Sequence, residues 1–160
     1  MTLQAGVALF DFTHNGSSNF IVWLRGASGD LLVNKIGGYR GTTMSGVLAG
    51  EFLLDIKADG AWTLTLREPR DQVPVGVPHT ATGTGDAVSS FVSLDGLYIV
   101  TANYTGSRNF IVWLYDADGQ RIDLVFNKIG AYSGVNTIRV NSGSYILVVK
   151  SSGDWTILVE

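Results

Sequence analysis

The sequence predicts an all-β protein made of two tandem β-sandwich or jelly-roll-like repeats. Three observations predict it: a block of motifs that occurs twice in the same order, apolar residues that alternate with polar ones, and glycine-containing pairs between the alternating runs. Alternation with a period of two is the pattern of a strand with one buried face, and no window shows a sustained helical period. Short strands separated by turn signals at this spacing are typical of β-sandwiches.

The repeat rests on two blocks that return in order. Residues 18–24 read SNFIVWL and return as RNFIVWL at residues 108–114. Residues 34–37 read NKIG and return at 127–130, each time just before a Tyr-x-Gly triplet. The spacing is 90 residues at the first block and 93 at the second, so the second copy has a three-residue insertion in one loop. Two such blocks in the same order indicate an internal duplication.

Alternation within the copies predicts individual strands and their buried faces. In copy one, the apolar residues on one side of two runs are Phe52, Leu54 and Ile56, then Trp62, Leu64 and Leu66. Pairs such as Asp59-Gly60 between the runs are suited to tight turns. Trp62 and its counterpart Trp155 belong to the alternating apolar sets, and we expect both indoles in the cores.

The boundary between the copies is marked by proline. All three prolines, Pro69, Pro74 and Pro78, lie between the two copies, and a Thr/Gly-rich stretch follows at residues 80–85. Proline removes a ladder donor and favours extended chain. We therefore expect repeat 1 in residues 1–67, a linker in 68–85 and repeat 2 in 86–160.

Copy two also carries an apolar stretch, residues 88–94, that has no visible counterpart in copy one. The first copy is thus expected to be one strand short. A missing strand leaves an open sheet edge whose N–H and C=O groups need a partner.

Composition and charge argue against several classes of partner. The chain has 46% hydrophobic residues, a formal net charge of -3 and no cysteine. This charge provides no basic field for nucleic acid, and the absence of cysteine excludes disulfides and thiolate metal sites. No apolar stretch is long enough to insert in a membrane as a helix, and the first residues show no signal-peptide pattern.

Catalytic motifs are not visible. There is no Gly-x-Ser-x-Gly turn, the two histidines, His14 and His79, lie outside metal-ligand spacings, and no acidic residue recurs between the copies. We expect a protein that is not an enzyme, with no cofactor and no metal. Asp116 and Asp118 resemble the start of a calcium loop but lack the distant Glu, so an ordinary β-turn is favoured and calcium remains the alternative.

The sharpest polar repeat is a candidate ligand-binding site. Its residues are Asn34, Lys35 and Tyr39 in copy one and Asn127, Lys128 and Tyr132 in copy two. As a binding site, these side chains would hydrogen-bond a sugar while the aromatic ring stacks on it. As a structural feature, Asn and Gly set a turn and Tyr packs on it, and this interpretation is favoured.

A second set of residues predicts an interface. If Phe20, Val22 and Leu24 face the core, the other side of the same strand is also apolar, and a strand with two apolar faces is covered on both. The candidate interface residues are Trp23, Ile111, Trp113, Ile146, Val148 and Leu158. Because large exposed apolar patches mark interfaces, we expect a homo-oligomer, and packing of the two copies against each other is the alternative.

The order of strand, Gly-rich turn, Asn-Phe-x-Val-Trp-Leu, Gly-x-Tyr and Gly-Trp-Thr resembles a tandem β-sandwich repeat of uncharacterised bacterial proteins. It is distantly similar to the pre-peptidase C-terminal domain, a secreted β-sandwich appended to hydrolases. Residues 143–145 and 155–157 match that family best, whereas the paired acidic residues of its central strand are absent around Asn109 and Val112. The resemblance implies a non-catalytic accessory or adhesive role and an extracellular or cell-surface location.

These observations lead to two functional hypotheses. The first is a non-catalytic interaction module that binds a carbohydrate or another cell-surface ligand. The alternative is a structural subunit that self-assembles into an oligomer or fibre through an apolar sheet face or an open strand edge. The two differ in the solution mass expected without ligand, which is monomeric for the first and oligomeric for the second.

Overall fold

The structure, a computed structural model, describes residues 1–160 and consists of β-strands, turns and loops without a helix. The predicted all-β fold is confirmed. The chain divides into two compact units, Met1–Arg70 and Asp71–Glu160. No helix that would be able to cross a membrane is present.

The first unit is built from short antiparallel strands. They are β1 (Thr2–Leu3), β2 (Gly6–His14), β3 (Asn19–Arg25), β4 (Asp30–Ile36), β5 (Tyr39–Val47), β6 (Gly50–Glu51), β7 (Leu53–Lys57) and β8 (Trp62–Arg67). One three-stranded sheet has the order β5-β2-β8, a second has the order β4-β3-β7, and β1 pairs with β6. Hence β7 and β8 are each an edge strand of their sheet.

The core of the first unit is formed by the alternating residues that the sequence pattern identifies. Phe10 and Phe12 of β2 are buried with Phe20, Val22 and Leu24 of β3. The rings of Phe12 and Phe20 meet edge to face, with centroids 5.9 Å apart, so the two sheets bury their apolar faces in one cluster. The predicted core face of β3 agrees with this packing.

The second unit has longer strands and one continuous sheet. Its strands are β9 (His79–Thr84), β10 (Ala87–Val88), β11 (Val92–Tyr104), β12 (Asn109–Asp116), β13 (Arg121–Ile129), β14 (Tyr132–Lys150) and β15 (Asp154–Val159). The strand order is β13-β12-β14-β11-β15-β9, and β10 also pairs with β14. Strand β14 is long enough to pair with β11 along its first part and with β12 along its second.

Strand pairing has the same register in the two units. The pairs are His14↔Tyr39 and Tyr104↔Tyr132, Phe10↔Leu66 and Val100↔Val159, Asn19↔Ile36 and Asn109↔Ile129, and Ile21↔Lys57 and Ile111↔Lys150. A bulge follows Val22 in one unit and Val112 in the other. The first and second parts of β14 correspond to β5 and β7, so the duplication in sequence is a duplication of topology.

The units differ at one side of the sandwich, where the sequence expectation needs correction. Residues 79–84, expected within the linker, form β9 and pair with β15. The stretch that starts β11 has a short counterpart, β1, and the strands without a counterpart in unit 1 are β9 and β10. Residues 79–84 resemble a linker in sequence because they follow the prolines and contain mostly Thr and Gly. This composition is possible in β9 because it is an edge strand with only Ala81 buried.

Candidate functional site

The predicted polar repeat lies at a hairpin in the first unit. Asn34 and Lys35 are exposed at the end of β4, while Tyr39 begins β5 and is only 9% exposed. The Tyr39 ring belongs to the core cluster and lies 6.0 Å from the Phe20 ring, centroid to centroid. Its ring is thus enclosed by the chain and offers no open face on which a sugar would stack.

The second copy of this repeat has the same arrangement. Asn127 and Lys128 end β13, Tyr132 begins β14, and the Lys128 Nζ lies 5.2 Å from the centre of the Tyr132 ring. The ring also packs against Phe126 at 5.6 Å. The structure therefore brings Lys128 and Tyr132 together, but as partners of each other and of the core.

Both copies also expose an isoleucine that sequence reasoning missed. Ile36 and Ile129 end β4 and β13 and are 80% and 82% exposed. Each precedes a glycine in the left-handed region, Gly37 with φ of 85° and Gly130 with φ of 82°. The available signal was the repeated Ile-Gly pair, because a glycine with positive φ marks a turn and the isoleucine before it lies at the end of its strand.

The predicted interface residues do not share one surface. Ile111 and Trp113 of β12 lie on the face opposite the core, and Val148 of β14 is the Cα partner of Trp113. Ile146 lies two residues earlier on the same side of β14, and both Ile146 and Val148 are buried. Leu158 alternates with the core residues of β15 in the other layer, so the expectation of a single face including Leu158 is wrong.

The remaining predicted interface residue, Trp23, lines an open cleft. The cleft has a volume of about 200 Å³ and is formed on the outer face of the sheet by Ile21, Trp23 and Arg25 of β3 with Asp55 and Lys57 of β7. Alternation places these three β3 side chains opposite the core residues of the same strand. Antiparallel pairing sets Trp23 beside Asp55 and Ile21 beside Lys57.

Charged groups surround the indole in this cleft. The Arg25 guanidinium carbon lies 4.6 Å from the centre of the Trp23 ring, and its Nη2 donates to Asp55 Oδ2 at 3.1 Å. Lys57 is exposed and makes no ion pair. The three charges sum to one positive charge at neutral pH. The matching positions beside Trp113 hold Tyr115, Val148 and Lys150, so the mixture of indole, carboxylate and two cations belongs to unit 1 alone.

A second, more polar cleft lies on the outer face of the other sheet of unit 1. Its volume is about 340 Å³, and its polar lining comes from Asp11, Thr13, Arg40, Thr42, Thr63 and Thr65. Asp11 accepts from Arg67 Nε at 2.8 Å and from the Thr42 hydroxyl at 2.5 Å. The hydrogen bond from Arg67, more than the partial burial that opposes it, lowers the pKa of Asp11. This cleft has no exposed aromatic ring.

His14 and Asp59 form a side-chain pair in unit 1, and Tyr104 and Ser152 form the corresponding pair in unit 2. The His14 ring stacks on Phe20 with centroids 4.5 Å apart, and Nε2 lies 3.2 Å from Asp59 Oδ1. In the second unit Tyr104 stacks on Phe110 at 4.8 Å, and its hydroxyl lies 2.9 Å from Ser152 Oγ. The pair links a core aromatic position to a loop in both units, which is a structural role.

The pKa of Asp59 is lowered despite a partial loss of solvation that acts to raise it. The backbone N–H groups of Ser17 and Ser18 donate to Asp59 Oδ2 at 3.0 and 2.9 Å, and they stabilise the carboxylate together with the nearby His14. Asp59 therefore ties the β2–β3 loop to the β7–β8 loop. The sequence did not identify this carboxylate, because its partners are backbone groups far away in the chain.

The Asp116 turn is organised by its own carboxylate. Asp116 Oδ1 accepts from the backbone N–H of Asp118 at 3.1 Å and of Gln120 at 2.8 Å, and Gly119 has a φ of 79°. These are the contacts of an Asx-type turn. The structure contains no group of three or more His, Cys, Asp or Glu residues with the geometry of a metal site.

Comparisons with known proteins add no relative to this description. No protein-family model matches the chain. No curated protein matches it either.

Proposed function

We propose that the protein is a non-catalytic interaction module that binds carbohydrate at the outer face of the β3–β7 sheet of unit 1. The observation that carries the proposal is the Trp23 cleft, where one indole is combined with Arg25, Asp55 and Lys57 on an open sheet face. Sites for small polar ligands combine an apolar surface with a few directed polar groups. This cleft has both.

The indole supplies the apolar surface. Trp23 is half-buried on a regular strand whose other face is fixed in the core by Phe20, Val22 and Leu24, so its position is held by the sheet. The Arg25–Asp55 ion pair that borders it is exposed on both sides, and exposed ion pairs contribute about 0.2–1 kcal/mol. A sugar ring therefore displaces Arg25 from the indole at small cost while its hydroxyls bond to Arg25 and Asp55.

The charges in the cleft favour an acidic sugar. Arg25 and Asp55 compensate each other, and Lys57 adds a positive charge without an acidic partner. Hydrogen bonds between an ammonium group and a carboxylate are about twice as strong as neutral ones. We therefore expect glycans that contain uronic acids to bind more tightly than neutral glycans of the same length.

Affinity electrophoresis tests the proposal. The full chain is run through gels that contain the acidic polymers alginate or polygalacturonate, or the neutral polymers dextran or laminarin. The expected result is retardation by an acidic polymer that Trp23→Ala weakens by about tenfold or more, which corresponds to about 1.4 kcal/mol of binding free energy. Lys57→Gln should weaken retardation by the acidic polymers only.

Trp113→Ala is the matched control, since Trp113 occupies the same position on β12 without the Arg and Asp neighbours. It should leave retardation unchanged. Equal losses in the Trp23→Ala and Trp113→Ala chains, or no retardation by any polymer, would contradict the proposal. Circular dichroism of each variant separates loss of binding from loss of fold.

A further inference from the structure

In unit 2, one segment closes the sandwich along its side. We name residues 79–88 the clasp; it contains β9, a turn at Gly85 with φ of 72°, and β10. Strand β9 pairs with β15 over six residues, from Thr84↔Asp154 to His79↔Val159. Strand β10 pairs with β14, with Ala87 opposite Val149 and Val88 opposite Val148. The clasp therefore bridges the free edges of both layers.

The clasp fits unit 2 through a glycine and an indole. A Cβ atom at Gly83 would lie 2.5 Å from the Trp155 ring, so only glycine allows β9 to approach this side chain. Trp155 Nε1 in turn donates to the Gly85 carbonyl at 3.0 Å. Trp155 is 4% exposed as a result.

Unit 1 has the surface that the clasp covers, but no clasp. Strand β8, the counterpart of β15, pairs with β2 on one edge and has no strand on the other, and the same holds for β7 beside β3. We name these two free edges the clasp groove. Nothing in unit 1 corresponds to β9 and β10.

Burial of the matching side chains shows what the missing segment leaves open. Trp62 is 44% exposed, whereas its counterpart Trp155 is 4% exposed. The apolar residues that pack against the core cluster of unit 1 but are only partly buried are Leu54, Ile56, Ala58, Leu64 and Leu66, and all five line the clasp groove. Their counterparts Leu147, Val149, Ser151, Ile157 and Val159 are all buried. The incomplete burial of unit 1 is thus concentrated where a clasp would lie.

From this correspondence we infer that the clasp groove of unit 1 binds an extended polypeptide segment with the chemistry of the clasp. That segment adds one antiparallel strand to β8 and a short one to β7, with a glycine opposite Trp62 and another small residue, such as Ala, two positions before it on the inner side. Binding by strand addition draws its affinity from main-chain hydrogen bonds and its specificity from alternate side chains. An open apolar edge is otherwise a site of unspecific pairing.

The occupant is a clasp-like segment that lies outside residues 1–160, and this follows from counting. Each copy of residues 1–160 has two units that accept a clasp but only one clasp, which is held in unit 2. Exchange of clasps between copies fills one groove by emptying another. A second copy therefore gives no net gain of strand pairing, whereas a separate clasp-like segment does.

The groove of unit 1 keeps the main features of recognition but lacks two side-chain bonds. In unit 2 the Ser151 hydroxyl donates to the Gly85 carbonyl at 2.8 Å, and the Thr84 hydroxyl donates to Asp154 at 2.5 Å. The residues at these positions of unit 1 are Ala58 and Ala61. The groove is thus suited to a reversible partner that binds less tightly than the clasp in cis.

A synthetic peptide of residues 78–90, added to the full chain, tests the inference. This peptide has no tryptophan, so every tryptophan signal comes from the protein. The indole N–H resonance of Trp62, assigned with a Trp62→Phe variant, should shift saturably as it meets the peptide carbonyl that corresponds to Gly85. Amide exchange should slow at residues 54–57 and 62–66.

The matched control is the same peptide with Gly83→Val, which has higher strand propensity but places a side chain against the indole. It should bind at least about tenfold more weakly. Three outcomes would overturn the inference: no shift up to about 1 mM peptide, equal binding of both peptides, or a shift of the Trp155 resonance, which indicates exchange with the chain's own clasp. A concentration-dependent Trp62 shift without peptide would show that a second copy is the occupant.

Discussion

Trp62 and Trp155 show how far a single residue can be understood from sequence. Both occupy the first position of an alternating apolar run and both were expected in a core. Trp155 is buried, but Trp62 is nearly half exposed, so the expectation is wrong for Trp62. Alternation identifies the face of a strand. It does not reveal whether a neighbouring strand from a distant part of the chain covers that face.

This difference predicts unequal effects of the same substitution. Trp155→Ala should destabilise unit 2 by about 3–5 kcal/mol, because it removes a large buried ring and its hydrogen bond to Gly85. Trp62→Ala should cost roughly 1 kcal/mol, since much of that ring already contacts water. Urea unfolding followed by circular dichroism measures both, and similar midpoint shifts for the two variants would contradict the burial difference.

At the scale of elements, the sequence predicted strands well where the signal lies within the strand or its turn. The core face of β3 and the turns around Gly37 and Gly130 were deduced correctly, because period and turn chemistry are local properties. Strand β9 was missed, since its inner residues are Ala81 and Gly83. Small residues are required there by the Trp155 ring, which lies far away in sequence.

The site that we propose for the ligand was predicted less well for a related reason. The Asn34–Tyr39 turn was selected because its residues recur in copy two. The Tyr39 ring packs in the core, however, so the recurrence reflects packing. The Trp23 cleft depends on Arg25 and Asp55, which differ from their counterparts in copy two, so a search for repeated residues passes over it. Repeats identify what the fold needs, and departures from the repeat are better indicators of a binding surface.

Strands β2 and β8 are linked by an ion pair that predicts a pH dependence. Arg67 of β8 holds the Asp11 carboxylate of β2, which lowers the Asp11 pKa from its ordinary value of 3.8. A carboxyl group with a lowered pKa in the folded state stabilises the fold above about pH 4, and this stabilisation is lost as the pH falls below that value. Both side chains are partly exposed, so its size is about 0.5–1 kcal/mol.

Asp11→Asn should therefore lower the free energy of unfolding at pH 7 and pH 5 by that amount. At pH 3 the difference from the wild type should shrink, because Asp11 of the unfolded wild-type chain is then largely protonated. Urea midpoints at the three pH values measure this change. A difference that is the same at pH 3 and pH 7 would show that the carboxylate charge is not the stabilising factor.

At the scale of the whole molecule, the two units have the same topology, but unit 1 lacks the two strands of the clasp. Unit 2 has a clasp and a closed core, and unit 1 has the same registers with the clasp groove open. The sequence indicated an incomplete first copy, although it pointed to residues 88–94 as the missing part. The duplication therefore carries more information than either copy alone, because the complete unit shows what the incomplete one lacks.

Grafting a second clasp onto unit 1 tests, in one chain, whether the open groove of unit 1 accepts a clasp. In unit 2 the clasp is followed closely by β11, and the pairing of β1 with β6 matches Thr2 to Ser93 and Leu3 to Leu94, so Val92 corresponds to Met1. Residues 78–91 placed immediately before Met1 should thus reach β8 and β7 in cis, at a high effective concentration. Burial of Trp62 and its neighbours should stabilise unit 1 by about 2–4 kcal/mol after the cost of ordering the graft.

The grafted chain should show slower amide exchange at residues 62–66 and a shift of Trp62 emission to shorter wavelength, with the Trp155 region unchanged. The same graft carrying Gly83→Val is the control, since it adds equal length and charge but cannot approach the indole. If both grafts leave exchange at β8 unchanged, the free edge of unit 1 does not accept this segment. If only the glycine form protects β8, shape at the Trp62 position decides what the groove binds.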